Sequence, residues 1–224
     1  MKYFVLVLLT LTFSQIYFGQ EILDQKEVER IARESAQEMK TSKQYFAAHD
    51  KCRDLMKEKN YAQAEVSCRL AVSLAEKLPK SRSMEKHSAY KWLGYSLLWQ
   101  TKATEAIAFA EKSLEVAKDR LDETNAETGE VYFLIAQANH LLGKTEVASN
   151  FYTKAEKVYR AAFVEIGGAS VDGDEIRSPY PRAIKIILET HLIMTTNAGL
   201  KNESKTIKKR LEEFKIVFAK YLEN

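Results

Sequence analysis

The sequence is short of everything that breaks a helix. Its 224 residues include 8 glycines and 3 prolines, too few to punctuate a protein built from many short strands. Only 2 cysteines are present, which excludes a scaffold stapled by many disulfides and the cysteine-rich zinc modules. A surplus of one charge sign is missing too: 34 basic and 31 acidic side chains leave +3. A nucleic-acid binder concentrates its basic residues in a stripe, whereas here the signs are interspersed. Even the run Lys201, Lys205, Lys208, Lys209 and Arg210 is diluted by Glu203, Glu212 and Glu213 and reads as a solvated helix face.

Chemistry-bearing patterns are also scarce. His49, His87, His140 and His191 are scattered, with no ligand pair at helical spacing, so no metal site is expected. Phosphate loops, nucleophile elbows and dinucleotide-binding glycine turns do not occur. Gly167, Gly168 and Gly173 follow no strand and precede no phosphate-loop lysine. Asp172, Asp174 and Glu175 lack the remaining oxygen ligands of a calcium loop. The expectation is therefore no catalytic residue, no cofactor and no enzymatic activity.

The longest apolar run lies at the start, MKYFVLVLLTLTFSQIYFG. A lysine at position 2, an apolar stretch from Tyr3 to Leu11 and a more polar end have the layout of a signal peptide, residues 1–19. The run is short for a membrane span, which needs roughly 20 residues. Cleavage after Gly19 or Ser14 is expected, placing the chain in a secreted or periplasmic location. The alternative is an anchor formed by an uncleaved N-terminal segment.

Apolar residues make up 46% and charged ones 29% of the chain, an ordinary globular balance. The apolar residues recur at three- and four-residue steps, the signature of amphipathic helices. Residues 20–43 read as a leading helix, with Val28, Ile31, Ala32, Ala36 and Met39 in one stripe that covers the first helix pair. Thr41 or Ser42 is placed to cap the next helix. Four helix pairs then span about 44–80, 86–122, 128–164 and 181–222. Their turns fall at Lys59–Asn60, Gln100–Thr104, Gly143 and Gly199, and a loop insertion at 166–180 precedes the last pair. The small residues just after the first three turns, Ala64, Ala106 and Ala148, stand 42 residues apart. Cys52, Gly94 and Ala136 keep the same register, as do Cys68, Ala110 and Tyr152. A fixed period of this length marks units that cannot bury their apolar faces alone and stack on their neighbours. The fold class is thus all-α, an α-solenoid of stacked antiparallel helix pairs with about nine helices.

Cys52 and Cys68 lie equidistant from the first turn, one on each helix, and should face each other. In an oxidising compartment they read as a disulfide; the alternative is two buried thiols at positions that favour small residues.

Tyr90, Leu93, Gly94 and Leu97, followed by Ala106, Ala110 and Ser113, resemble the tetratricopeptide repeat. Gly143 to Ala148 and Asn60 to Ala64 look like its turn. The 42-residue period resembles the long-helix variant of kinesin-light-chain-like arrays. The resemblance covers residues 44–224, with Cys52, Leu192 and Ser204 departing from the pattern. It implies that the α-solenoid is right-handed and that it serves as a protein–protein interaction scaffold whose first helices line a concave face. The positions off the core stripe are then candidates to bind a protein or peptide: Arg53, Lys57, Lys91, Trp92, Tyr95, Trp99, Phe133, Gln137 and His140. His49, Met56 and Leu141 share those faces. Trp92, Tyr95 and Trp99 form one aromatic stripe flanked by Arg53, Lys57 and Lys91 for acidic groups. No nucleic acid and no membrane contact beyond the signal peptide is expected. A structural accessory subunit of an envelope or secretion-related assembly is the alternative reading.

Overall fold

A computed structural model describes residues 25–122, 124–165 and 180–222. The signal-peptide reading, residues 20–24 and the acidic part of the loop insertion lie outside the described residues. The elements are α1 (Gln25–Lys57), α2 (Tyr61–Ala75), α3 (Ser83–Leu98), α4 (Ala103–Ala117), α5 (Ala126–Leu141), α6 (Thr145–Glu165), α7 (Tyr180–Asn197), α8 (Lys201–Val217) and the short α9 (Ala219–Leu222). A single 3₁₀ turn, Lys80–Arg82, leads into α3. No strand occurs among the described residues.

The chain divides into two units, residues 1–40 and 41–224. In the first unit the described part is helical. Every residue from Gln25 to Lys40 is exposed except Glu27, which is half-buried. The apolar stripe predicted there is present but not packed: Val28 is 49%, Ile31 40% and Met39 73% exposed. The predicted break before residue 44 is absent, because α1 runs through Thr41 and Ser42 without interruption. The reason is local. Nothing between Gln25 and Lys57 is glycine or proline. Ser42 also uses its hydroxyl elsewhere, accepting a bond from the Arg82 guanidinium at 2.8 Å.

The second unit is a stack in which each helix from α2 onward packs on the next in sequence, and α3 also touches α5. Its turns explain the arrangement. Lys59, Thr101, Gly143 and Gly199 each adopt φ between 59° and 72°. At each turn that residue's N–H bonds back three residues, and the next N–H bonds back five, as in Asn60 to Leu55 and Leu200 to Thr195. These are four copies of the Schellman closure. It satisfies the orphan carbonyls at a helix end and reverses the chain within a few residues. α2, α4 and α6 then start at a regular 42-residue step, and α8 starts 56 residues after α6. The loop insertion accounts for the longer step.

The seam between paired helices is built from small side chains. Ala64, Ala106, Ala110, Ala136, Ala148 and Ala155 have no exposed surface. Gly94 is required at its position. A Cβ there would lie 2.8 Å from Leu134 Cδ2 and 3.4 Å from the Ala106 carbonyl oxygen. Around the seam, one cluster joins Tyr45, Leu93, Leu97 and Leu134, and a second joins Tyr152, Ile184, Leu188, Ile207 and Phe214. Cys52 and Cys68 are fully buried and disulfide-bonded, with their Cα atoms 5.1 Å apart.

Lys59 and Thr101 sit in a left-handed conformation that costs a side chain roughly 1 kcal/mol. Thr101→Gly should raise the unfolding free energy by up to about 1 kcal/mol, and Gly143→Ala should lower it by about as much. Urea unfolding of the two variants tests both signs. Replacing both cysteines with alanine should cost about 3 kcal/mol, the chain-entropy value for a loop of this size. The check is a denaturation midpoint measured beside that of the reduced wild type.

Candidate functional site

The first helices of the pairs, with α7 and the end of α6, enclose a groove of about 440 Å³ in the second unit. Its lining is mostly apolar: Met56, Trp92, Tyr95, Trp99, Phe133, Tyr159, Ala183, Ile186 and Ile187, with Lys57 and Glu130 as the charged members. A cleft of this size and character lies within the usual range of binding sites.

The aromatic stripe read from the sequence sits here. Trp99 is 54% exposed and stacks on Tyr61 at 5.7 Å. Trp92 and Tyr95 are half-buried, with ring centroids 6.2 Å apart. Arg53 is exposed and lies over the Trp92 ring at 5.6 Å, within cation–π range. Tyr95 donates its hydroxyl to the Glu130 carbonyl at 2.9 Å. Burial, reinforced by the nearby Glu130 charge, pushes that phenol well above its ordinary range, so it remains a donor. Phe133 lines the groove and packs beside Tyr152 at 5.9 Å. Gln137 and His140 are half-buried on α5 and lie outside the groove lining. Leu141, also on α5, is 54% exposed.

Two expected groove residues are placed otherwise. Lys91 is buried, 4% exposed, and pairs with the carboxylates of Glu127 and Glu130. Its charge is spent inside the chain and is not offered to a partner. His49 is also buried, with Nε2 2.9 Å from Ser88 Oγ. The cause is common to both. Residues 49 and 91 occupy the same place in successive repeats and point sideways into the next pair, not into the open groove. Conversely, the sequence reading missed Glu130, Tyr159, Ala183, Ile186 and Ile187. The available signal was a second apolar face on α7, Ala183, Ile186 and Ile193, beside the core stripe of Ile184 and Leu188.

Two serine–histidine–glutamate groupings have the composition of a catalytic triad but not its geometry. Ser113 Oγ lies 2.9 Å from His87 Nδ1, and His87 Nε2 lies 3.4 Å from Glu127. Ser113 and His87 have no exposed surface, and the serine donates to the carbonyl of His87 itself at 2.9 Å. A nucleophile needs an accessible oxygen whose proton is aimed at its base, and neither condition holds. In the second grouping Ser149 donates to Glu203 while lying 2.7 Å from His191. That hydroxyl proton is committed to the carboxylate. Among the described residues no cluster of His, Cys, Asp or Glu is placed to hold a metal, and no helix is long and apolar enough to cross a membrane.

The tetratricopeptide-repeat family model matches residues 85–161, which hold the middle of this stack and much of the groove. Those residues carry tetratricopeptide repeats. A TPR-like protein from Chlorobium tepidum TLS superposes with a TM-score of 0.53 at 16% identity, covering 69% of this chain and 96% of that one. BtubC (BKLC) from P. vanneervenii gives a TM-score of 0.43 at 16% identity, covering 85% of this chain and 94% of that one. No curated protein sequence matches the chain. Repeats of this kind make a helical scaffold of the protein–protein interaction class, a typically non-enzymatic fold.

The buried histidine of the terminal pair makes stability depend on pH. Burial holds the His191 imidazole down at about 4, against an ordinary 6.5, with Glu203 opposing the effect. The folded state thus prefers the neutral ring. Its contribution is complete above pH 6.5 and is lost as pH falls toward 4. His49 is lowered as well, chiefly by burial. The Glu127 and Glu65 carboxyls are held down at about 2, so their contributions fade only from about pH 4.5 downward. Melting temperature should therefore begin to fall below pH 6.5. In His191→Gln the slope between pH 6.5 and 4 should flatten, whatever the absolute loss of stability.

Proposed function

We propose that this chain is an extracytoplasmic interaction scaffold that binds a peptide or protein in the groove over Trp92, Tyr95, Trp99, Phe133 and Ile186. The observation that carries the reading is the groove itself: large apolar and aromatic side chains left partly exposed where the repeat's own packing does not use them. Trp99 and Ile186 are more than half exposed, a costly arrangement for a surface with no partner. Arg53, exposed over the Trp92 ring, stands on one edge and suits an acidic group flanking an apolar anchor, while Lys57 beside it is paired with Asp54 at 2.9 Å. The location rests on the layout of the first 19 residues and is supported by a disulfide in a chain with no other cysteine.

The alternative, a permanent structural subunit of an envelope or secretion-related assembly, is favoured by a different observation. Val164, Ile216 and Val217, on α6 and α8, are 72%, 79% and 69% exposed. A terminal unit of a stack normally turns a polar face outward. A permanent subunit should aggregate when purified alone, whereas an adaptor should stay in solution, and size-exclusion chromatography separates the two.

The geometry also selects the variants. Tyr95 supports the Glu130 backbone, so its removal disturbs the groove wall as well as its surface. Trp99→Ala and Ile186→Asp change side chains that are more than half exposed, the first giving up its stacking on Tyr61. Each should weaken a captured partner by on the order of 2 kcal/mol, the scale of an interface hot spot, with thermal stability retained. Undiminished capture by the double variant in a pull-down from an extracytoplasmic fraction would sink the groove assignment.

A further inference from the structure

In the second unit, α6 and α8 face each other across a gap that long side chains bridge. Ser149 meets Glu203 and, further along both helices, Glu156 meets Arg210, each pair 54 residues apart in sequence. The two helices therefore run in the same direction. Beyond these ties the Phe163 and Phe218 rings meet at 5.2 Å. The gap leaves an open trough of about 630 Å³, within the usual range of ligand sites. It shares no lining residue with the groove over Trp92 and Trp99.

The floor of the trough is ionic and its charges do not cancel. Glu156 is 2% exposed and is shared by two guanidiniums. Arg160 donates its Nε–H to one carboxylate oxygen at 2.8 Å, and Arg210 donates to the other. One carboxylate neutralises one guanidinium, not both. The side chains of Arg160 and Arg210 stay 40% and 34% exposed, and their remaining N–H groups have no partner among the described residues. Lys157 joins them from α6, exposed and in no ion pair among the described residues. Glu213 is the other acid of the lining, and Lys209 lies 3.7 Å from it. Lys157, Arg160, Lys209 and Arg210 thus stand against Glu156 and Glu213, a surplus of two positive charges. Glu212 and Lys215 pair with each other and leave that surplus unchanged.

Next to the cations the wall is apolar. The Arg160 guanidinium lies 5.3 Å from the centre of the buried Phe214 ring, which stacks on Phe218 at 4.5 Å. Phe218 is half-buried and Val217 is 69% exposed. We infer that this trough binds a small carboxylic acid with an aliphatic or aromatic body. The carboxylate takes the free N–H groups of Arg160 and Arg210, whose planar forks match its geometry, and Lys157 supplies a further donor. The body rests on Val217 and Phe218. Bound there, the acid continues the alternation of carboxylate and guanidinium that Glu156 begins and offsets part of the surplus charge. Glu156 and Phe214 already hold the Arg160 guanidinium in place, so little side-chain freedom is lost on binding.

The test titrates the purified chain with 3-cyclohexylpropanoate, with the matching alcohol 3-cyclohexylpropanol and with inorganic phosphate, followed by NMR. The acid should give saturable shifts of the Arg160 and Arg210 Nε–H signals. The indole signals of Trp92 and Trp99, both in the groove, should stay in place. The alcohol should bind roughly tenfold more weakly, the scale of one charge-assisted hydrogen bond. Lys157→Gln removes an exposed, unpaired amine, so it should weaken the acid severalfold at an unchanged melting temperature. Arg160→Gln should weaken it further, while Arg210 keeps Glu156 paired. Equal binding of acid and alcohol overturns the inference. So does the absence of any shift with the acid, or shifts at the indoles without shifts at the guanidiniums. Phosphate that displaces the acid at equal concentration overturns it as well, because the apolar wall then contributes nothing. None of these outcomes bears on the groove.

Discussion

The stack depends on how closely two helix backbones can approach. At Gly94 there is no room for even a methyl group: Leu134 from the next pair and the Ala106 carbonyl occupy the space a Cβ would need. One residue therefore meets its own pair's second helix and the following repeat at once. Interiors pack at crystal-like density, so the small side chains along the seam fix the separation of the helices in each pair. They also decide where large side chains can go. Trp92, Tyr95, Trp99 and Phe133 have no place in a seam lined by Ala106, Ala110, Ala136 and Ala148. They turn toward the groove, and the same constraint that builds the repeat supplies the site.

The parts of this architecture governed by local rules are readable from the chain. A helix end followed by a residue at positive φ, and a small residue five positions later, recurs at Lys59, Thr101 and Gly143 with matching alanines at 64, 106 and 148. Both features are set within one turn of chain. The facing cysteines follow from the same register. The differences between sequence and structure share another cause. Lys91 and His49 read as groove residues because helical spacing says which residues share a face, not which neighbour that face meets. Their partners, Glu127, Glu130 and Ser88, lie some forty residues away. Ile186 escapes the pattern because the insertion before α7 shifts the register. The uninterrupted α1 reads as two helices because threonine and serine at 41 and 42 look like caps, a role they lose when no breaker stops the preceding helix.

Buried charge does in this stack what hydrophobic contact cannot. Lys91 is held between two carboxylates of α5, and Glu156 on α6, 2% exposed, is held by Arg160 and Arg210. Apolar replacements of equal volume can stabilise such sites as well as ion pairs do, since desolvation offsets much of the Coulomb gain. What an apolar seam of alanines does not supply is register. A helix can slide by a turn along a row of methyl groups at small cost. It cannot slide past a lysine that must find two carboxylates, because a buried charge left unpaired costs several kcal/mol. The two ionic clusters thus fix one junction near the middle of the stack and one at its end.

Covalent and ionic ties meet at the groove. Met56 and Lys57, which form one wall, lie on the last turn of α1, one turn beyond Cys52. That turn ends at the Schellman closure on Lys59 and is bonded through Cys52 to Cys68 on α2. The opposite wall is held by Tyr95 on the Glu130 carbonyl and by Lys91 on the Glu130 carboxylate. One wall is tied covalently and the other by buried polar bonds, so little ordering remains to be done when a ligand arrives. Binding to a site already in place avoids most of the entropic cost of arranging its side chains. Reduction of the disulfide should then be felt in the groove before the rest of the stack. It frees the α1 wall from α2 while leaving the Lys91 and Glu130 contacts untouched.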